Sequence, residues 1–117
     1  MQPKKVTPNV FAAGPTPGTA ETLQELNGQL VRRITHTGTS GWFTYLHAEA
    51  FLLVADGKVT IEFRDDSLHL RAGDCLVIPA RSEYRLLSDA GVTLLVFEAR
   101  FAPAYQASPY QAPGYLW

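Results

Sequence analysis

Between Lys58 and Arg64 the chain alternates strictly: Val59, Ile61 and Phe63 are apolar, Thr60, Glu62 and Arg64 polar. A period of two marks a strand with one buried face, so residues 58–64 are predicted as a strand. An apolar run at 51–55 precedes it. The Asp56-Gly57 dipeptide between the two best supports a tight hairpin turn. Asp65-Asp66-Ser67 makes the next turn, Leu68-His69-Leu70 a short strand, and Ala72-Gly73-Asp74 another turn. Cys75–Ile78 reads as an apolar strand stopped by Pro79, and residues 92–97 as a last long strand after the turn Asp89-Ala90-Gly91.

Before this region the pattern differs. Pro3, Pro8, Pro15 and Pro17, with Gly14 and Gly18, prevent regular structure in the first 18 residues, where Val10 and Phe11 are the apolar anchors. Thr19 reads as an N-cap, Glu21 suits a first helical turn, Leu23 and Leu26 share one face, and Gly28 closes as a C-cap. One short helix of about two turns is predicted there. From Gln29 to about Phe101 everything reads as strand. Roughly seven or eight strands with turns every 8 to 12 residues predict an all-β sandwich or barrel. The expected organisation is an N-terminal extension with the helix (1–28), a barrel (29–101) and a C-terminal tail (102–117). That tail interleaves Pro103, Pro109 and Pro113 with Tyr105, Tyr110, Tyr115 and Trp117, and is too aromatic for an inert linker.

Composition narrows the function. A chain of 117 residues with 46% hydrophobic and 18% charged positions is one domain with a real core. No apolar run approaches the roughly 18 residues needed to span a bilayer, and no apolar stretch follows Lys4 and Lys5. No membrane partner and no signal peptide are expected, and the expected location is the cytoplasm. Ten basic against eleven acidic residues give a net charge of -1, so a nucleic-acid partner is not expected. A lone Cys75 allows neither an internal disulfide nor a Cys-rich zinc site. In its apolar strand it reads as a small buried hydrophobe. Phosphate-binding glycine loops, nucleophile elbows and His-Glu-x-x-His patterns are missing.

The stretch HAEAFLLVADGKVTIEFRDDSLHLRAGDCLVIPARSEYRLLSD resembles the small single-domain cupins, nearest to the stand-alone phosphomannose-isomerase-like ones. The likeness covers about residues 29–100, more faintly the chain before it. It implies a cupin-type antiparallel jelly-roll barrel, commonly a homodimer. The second cupin motif runs Gly, five residues, Pro, one residue, Gly, two residues, His. Gly73 and Pro79 hold their places, but Arg81 stands at the second Gly and Tyr84 at the metal-binding His. The first motif runs His-x-His, then Glu, six residues and Gly. Counting back from Gly57 puts Ala50 at the Glu and makes Tyr45-Leu46-His47 the counterpart of His-x-His. A second register pairs His47 with Glu49 but leaves the gap to Gly57 short. The first register is favoured, and one ligand of four survives in it.

The resemblance therefore implies a degenerate site. His47 alone cannot hold a divalent metal, which needs at least three protein ligands, so no cofactor is expected. Were a metal bound, His47 and Glu49 would be its ligands. His47 reads either as a hydrogen-bonded polar residue of the interior or as an acid/base group in a metal-free pocket. Tyr45 and Tyr84 would set two phenols beside it, or simply fill the core. Trp42 and Phe51 supply apolar walls, and Arg81 and Arg85 flank Tyr84, where either an anionic ligand or solvent would meet them. His36 and His69, on other strands, read as surface residues or as locally satisfied.

Three functions fit these residues. The leading one is a metal-free barrel pocket binding a small organic molecule, anionic or sugar-like. The second is a cupin enzyme of isomerase, epimerase, lyase or dioxygenase type, using a rearranged metal site or His47. The third is a structural homodimeric module whose tail is a lid or a dimer contact.

Overall fold

The computed structural model describes residues 20–101 and 104–106. Eight antiparallel strands form one sheet there: β1 (Ala20–Leu26), β2 (Gln29–Thr39), β3 (Phe43–Tyr45), β4 (Ala50–Phe63), β5 (Ser67–Arg71), β6 (Cys75–Ile78), β7 (Glu83–Ala99) and β8 (Ala104–Gln106). β7 is the spine. One of its edges carries β2 and, further along, β3; the other carries β4. β1 lies outside β2, β8 outside β3, and β5 and β6 outside successive halves of β4. The expected barrel does not close among the described residues: the sheet keeps free edges. Their secondary structure includes no helix, so none is long and apolar enough to cross a membrane.

The predicted N-terminal helix is a strand. Asn27 and Gly28 both have positive φ, 52° and 76°, and Leu26 pairs with Gln29 across them. That is a two-residue hairpin of the type whose central residues need left-handed backbone, which Asn and Gly supply. The Asn-Gly turn signal overrides the weak helical spacing of Leu23 and Leu26 because it sets six residues of the segment in register with β2, whose edge their backbone groups hydrogen-bond. Thr19, the expected N-cap, and the tail beyond Gln106 lie outside the described residues.

The hairpin expected at Asp56-Gly57 is absent as well. Both flanking runs belong to β4, which runs through that dipeptide with register shifts at Val54/Asp56 and Gly57/Thr60. The turn expected at Asp89-Ala90-Gly91 likewise lies inside β7. Gly57 (φ 84°) and Gly91 (φ 100°) face each other at these irregularities. A Cβ on Gly57 would come within 2.3 Å of the Gly91 carbonyl oxygen. Glycine is required on both counts, and the contact lets the two longest strands bulge together.

Alternation then sorts the side chains. Leu52 and Val54 of β4, Ile34 of β2, Leu94 and Val96 of β7, and Ile78 of β6 form the inner face and are buried. Beyond the irregularity the inner face continues through Val59, Ile61 and Leu86. Each fully buried aliphatic side chain contributes about 1.5–3 kcal/mol. Cys75, by contrast, is exposed on the outer face of β6.

Gly57→Ala combines left-handed backbone with a clash against backbone that cannot swing away. It should lower unfolding stability by about 3 kcal/mol in urea denaturation. A loss below about 1 kcal/mol would mean that the two strands do not touch there.

Candidate functional site

β3 ends at Tyr45, whose carbonyl accepts a hydrogen bond from the Arg81 N–H at 2.6 Å. Arg81 holds φ 69°, the left-handed region that glycine favours. It stands where the cupin pattern read from the sequence has glycine, so a non-glycine residue here holds a backbone conformation that glycine favours. Gly73, at the head of the same pattern, has φ 95°.

Tyr45 and Tyr84 both point inward and are almost fully buried, their rings stacked at 5.9 Å between centroids and tilted by only 9°. Phe43 packs on Tyr84 at 5.8 Å. The Tyr45 hydroxyl donates to Glu98 Oε2 at 2.8 Å, and Arg32 Nη1 donates to Glu98 Oε1 at 2.9 Å. The Glu98 side chain is wholly buried and that of Arg32 is 12% exposed. Arg32 Nε is buried with no hydrogen-bond partner among the described residues. Burial, with the neighbouring Tyr84 and Glu98, holds the Tyr45 phenol well above its ordinary ionisation range. Burial also pushes Tyr84 up, and Glu98 adds to that against an opposing hydrogen bond from Tyr45. Both phenols are therefore neutral hydrogen-bonding groups at physiological pH.

The six residues expected to line a pocket do not converge. Tyr45 and Tyr84 are inside. Trp42 and Arg85 lie on the outer face, where Arg85 sits 4.8 Å and Arg64 3.7 Å above the Trp42 ring. Arg85 Nε donates to Glu62 at 2.7 Å, and Arg64 pairs with Glu83 at 3.4 Å. Phe51 is on the outer face of the other half of β4, edge-on to Phe97 at 5.7 Å. His47 and Glu49 are exposed on the connection from β3 to β4, because the strand ends before alternation can turn His47 inward. His36 Nε2 bonds the Gly38 carbonyl at 3.0 Å, and His69 Nδ1 bonds Thr60 Oγ1 at 2.9 Å.

Glu98 and Arg32 escaped the sequence reading, although the signal is there. Glu98 shares parity with the inward Leu94 and Val96, and Arg32 with the inward Ile34. An acid and a base at inward positions of apolar strands require each other.

The inward groups do not fit a divalent cation. Of the four positions matched to cupin ligands, Tyr45 and Tyr84 hold neutral phenols, Ala50 a methyl group, and His47 is exposed rather than turned inward. The carboxylate nearest them is already bonded to a guanidinium and a phenol, and that guanidinium opposes a second cation. Among the described residues no group of three or more His, Cys, Asp or Glu side chains is placed to hold a metal ion.

No protein-family model and no curated protein matches the sequence. Solved structures do. A cupin-2 domain protein from Shewanella frigidimarina aligns over 73% of this chain and 83% of its own, at 22% identity and TM-score 0.70. Protein NMB1881 from Neisseria meningitidis aligns over 80% and 98%, at 25% identity and TM-score 0.70. Hydroquinone 1,2-dioxygenase PnpCD, solved with Cd2+ and 4-hydroxybenzonitrile, aligns over 72% and 65%, at 22% identity and TM-score 0.64. The chain thus has the antiparallel β fold of cupin-domain proteins.

Removing one member of the inner ion pair strands the other. Arg32→Met alone should cost about 3–5 kcal/mol of stability, while Arg32→Met with Glu98→Leu should recover most of it. A double-mutant cycle by chemical denaturation measures this, and a single-variant loss below about 1 kcal/mol would place the pair in solvent.

Proposed function

We propose that this protein binds a small organic molecule, polar or anionic, and does so without a divalent metal. The observation that carries this reading is the inner chain Arg32–Glu98–Tyr45, with Tyr84 stacked on it, where Tyr45 and Tyr84 stand at positions at which a cupin centre would need imidazoles. A buried ion pair and two neutral phenols offer hydrogen bonds and no open coordination sphere. Acid–base catalysis through His47 has less support, since His47 is exposed and no hydrogen bond joins it to either phenol.

Elemental analysis of untagged protein, purified without chelator, tests the metal-free reading. The expected result is substoichiometric metal, and added Zn2+ or Mn2+ should leave Tm unchanged. One tightly held metal per chain, surviving dialysis, would overturn it and raise the enzyme reading.

A homodimer belongs to the same reading. Phe51 (37% exposed) and Val77 (49% exposed) are cross-strand neighbours on the outer face, beside the half-buried Phe97. This uncharged patch meets its own copy across a two-fold axis without like-charge repulsion. Sedimentation should find wild type dimeric and Val77→Asp monomeric with its circular dichroism unchanged. A monomeric wild type at every concentration would refute the dimer.

A further inference from the structure

The bend of β4 and β7 opens a cleft of about 800 Å³, distinct from the inner polar chain and from every residue predicted as a site. Its walls come from β4 (Lys58, Thr60), β5 (His69, Arg71) and the β7 bend (Leu87, Asp89), with Asp74 at the rim.

Lys58 and Arg71 are directly opposite each other in the β4–β5 ladder, and Thr60 and His69 form the next matched pair but one on the same side. Two like charges directly opposite on adjacent strands repel and destabilise the pairing. Five of the other described arginines are neutralised: Arg32 by Glu98, Arg33 by Glu21, Arg64 by Glu83, Arg85 by Glu62 and Arg100 by Glu25; Arg81 is exposed on a turn, away from the cleft. Lys58 and Arg71 have no ion-pair partner among the described residues, although Asp74 and Asp89 line the same cleft. Asp74 is turned to its own loop, where Oδ2 accepts from the Arg71 backbone N–H at 2.9 Å.

The rest of the cleft is fixed in place. Ser88 Oγ donates to the Lys58 carbonyl at 2.6 Å and accepts from the Gly91 N–H at 3.1 Å, locking the β7 bend to β4. Thr60 Oγ1 holds His69 through Nδ1. This bond engages Nδ1 and leaves Nε2 for a ligand, as a donor where the hydroxyl donates to Nδ1 and as an acceptor in the other tautomer. An ammonium, a guanidinium and an imidazole thus lie along one wall, and Asp89 lines the same cleft.

We infer that this cleft is an oxyanion-binding site for a small hydroxylated organic acid. The acid group sits between Lys58 and Arg71, which relieves their repulsion, and Arg71 offers a fork to a carboxylate or a phosphate alike. His69 hydrogen-bonds the adjacent part of the ligand, and its hydroxyls donate to Asp89. This assignment rests on the reading of the chain as a small-molecule binder and gives that reading a location.

Full-length protein, labelled with 15N, is titrated with D-gluconate, inorganic phosphate and neutral D-glucose at constant ionic strength. Amide shifts at Lys58, Thr60, His69, Arg71 and Gly91 should move with an anion and stay still with glucose. Movement with gluconate alone assigns a carboxylate ligand, and tighter binding of phosphate assigns a phosphorylated one. Lys58→Gln/Arg71→Gln should weaken binding roughly tenfold or more. The same variant, freed of its like-charge pair, should have a higher Tm than wild type and lose the Tm increase that the anion produces. Anion-induced shifts centred on Arg32 and Tyr45 would overturn the cleft assignment and keep the binder reading. Shifts unchanged in the double variant would also overturn it, and no shift with any of the three probes would count against both.

Discussion

The Gly57 backbone passes so close to the Gly91 carbonyl that Gly57 has no room for a side chain, and both residues sit in left-handed conformations. Around that contact β4 and β7 slip register and bend as one unit. A straight ladder of this length would present two flat faces. The paired irregularity gives it an inner face that gathers the apolar core, and it opens the cleft at the bend itself. Everything chemically distinctive about the molecule lies on one side or the other of this feature.

On the inner side the core tolerates a full ionic charge because it brings the countercharge with it. Glu98 is held by Arg32 and by the Tyr45 hydroxyl, and Tyr45 stacks on Tyr84. Burial keeps both phenols protonated, so they act as neutral hydrogen-bonding groups. Such a network rigidifies the interior only while every member is present. Its donors and acceptors are spent mostly on one another, so these inner groups do not suit a divalent cation.

The outer side obeys a different rule. Its arginines are matched to glutamates across neighbouring strands, and Trp42 is covered by Arg64 and Arg85. Exposed pairs of this kind add little stability each, yet they leave few cations uncommitted. Lys58 and Arg71 stand out against that pattern because their partners in the ladder are each other. Two adjacent cations are thus left without a carboxylate partner at the cleft.

The sequence by itself determined the all-β class, the inward alternation of Val59 and Ile61, and the scaffold positions Gly73 and Pro79, since strand period and turn-forming glycines are local properties. It misled where a local signal has two structural outcomes. Asp56-Gly57 suits a hairpin or a bulge, and only the approach of Gly91 from another strand decides for the bulge. Leu23 and Leu26 suit a helix in isolation, but the Asn27-Gly28 turn and the open edge of β2 draw the segment into the sheet. For the candidate site, parity already placed Arg32 and Glu98 on the inward side of their strands, whereas the failure of Trp42, Phe51, Arg85 and His47 to join Tyr45 and Tyr84 was not legible. Which face a residue takes depends on where a strand starts, ends or slips by one position, and those choices are made by contacts between segments far apart in the chain.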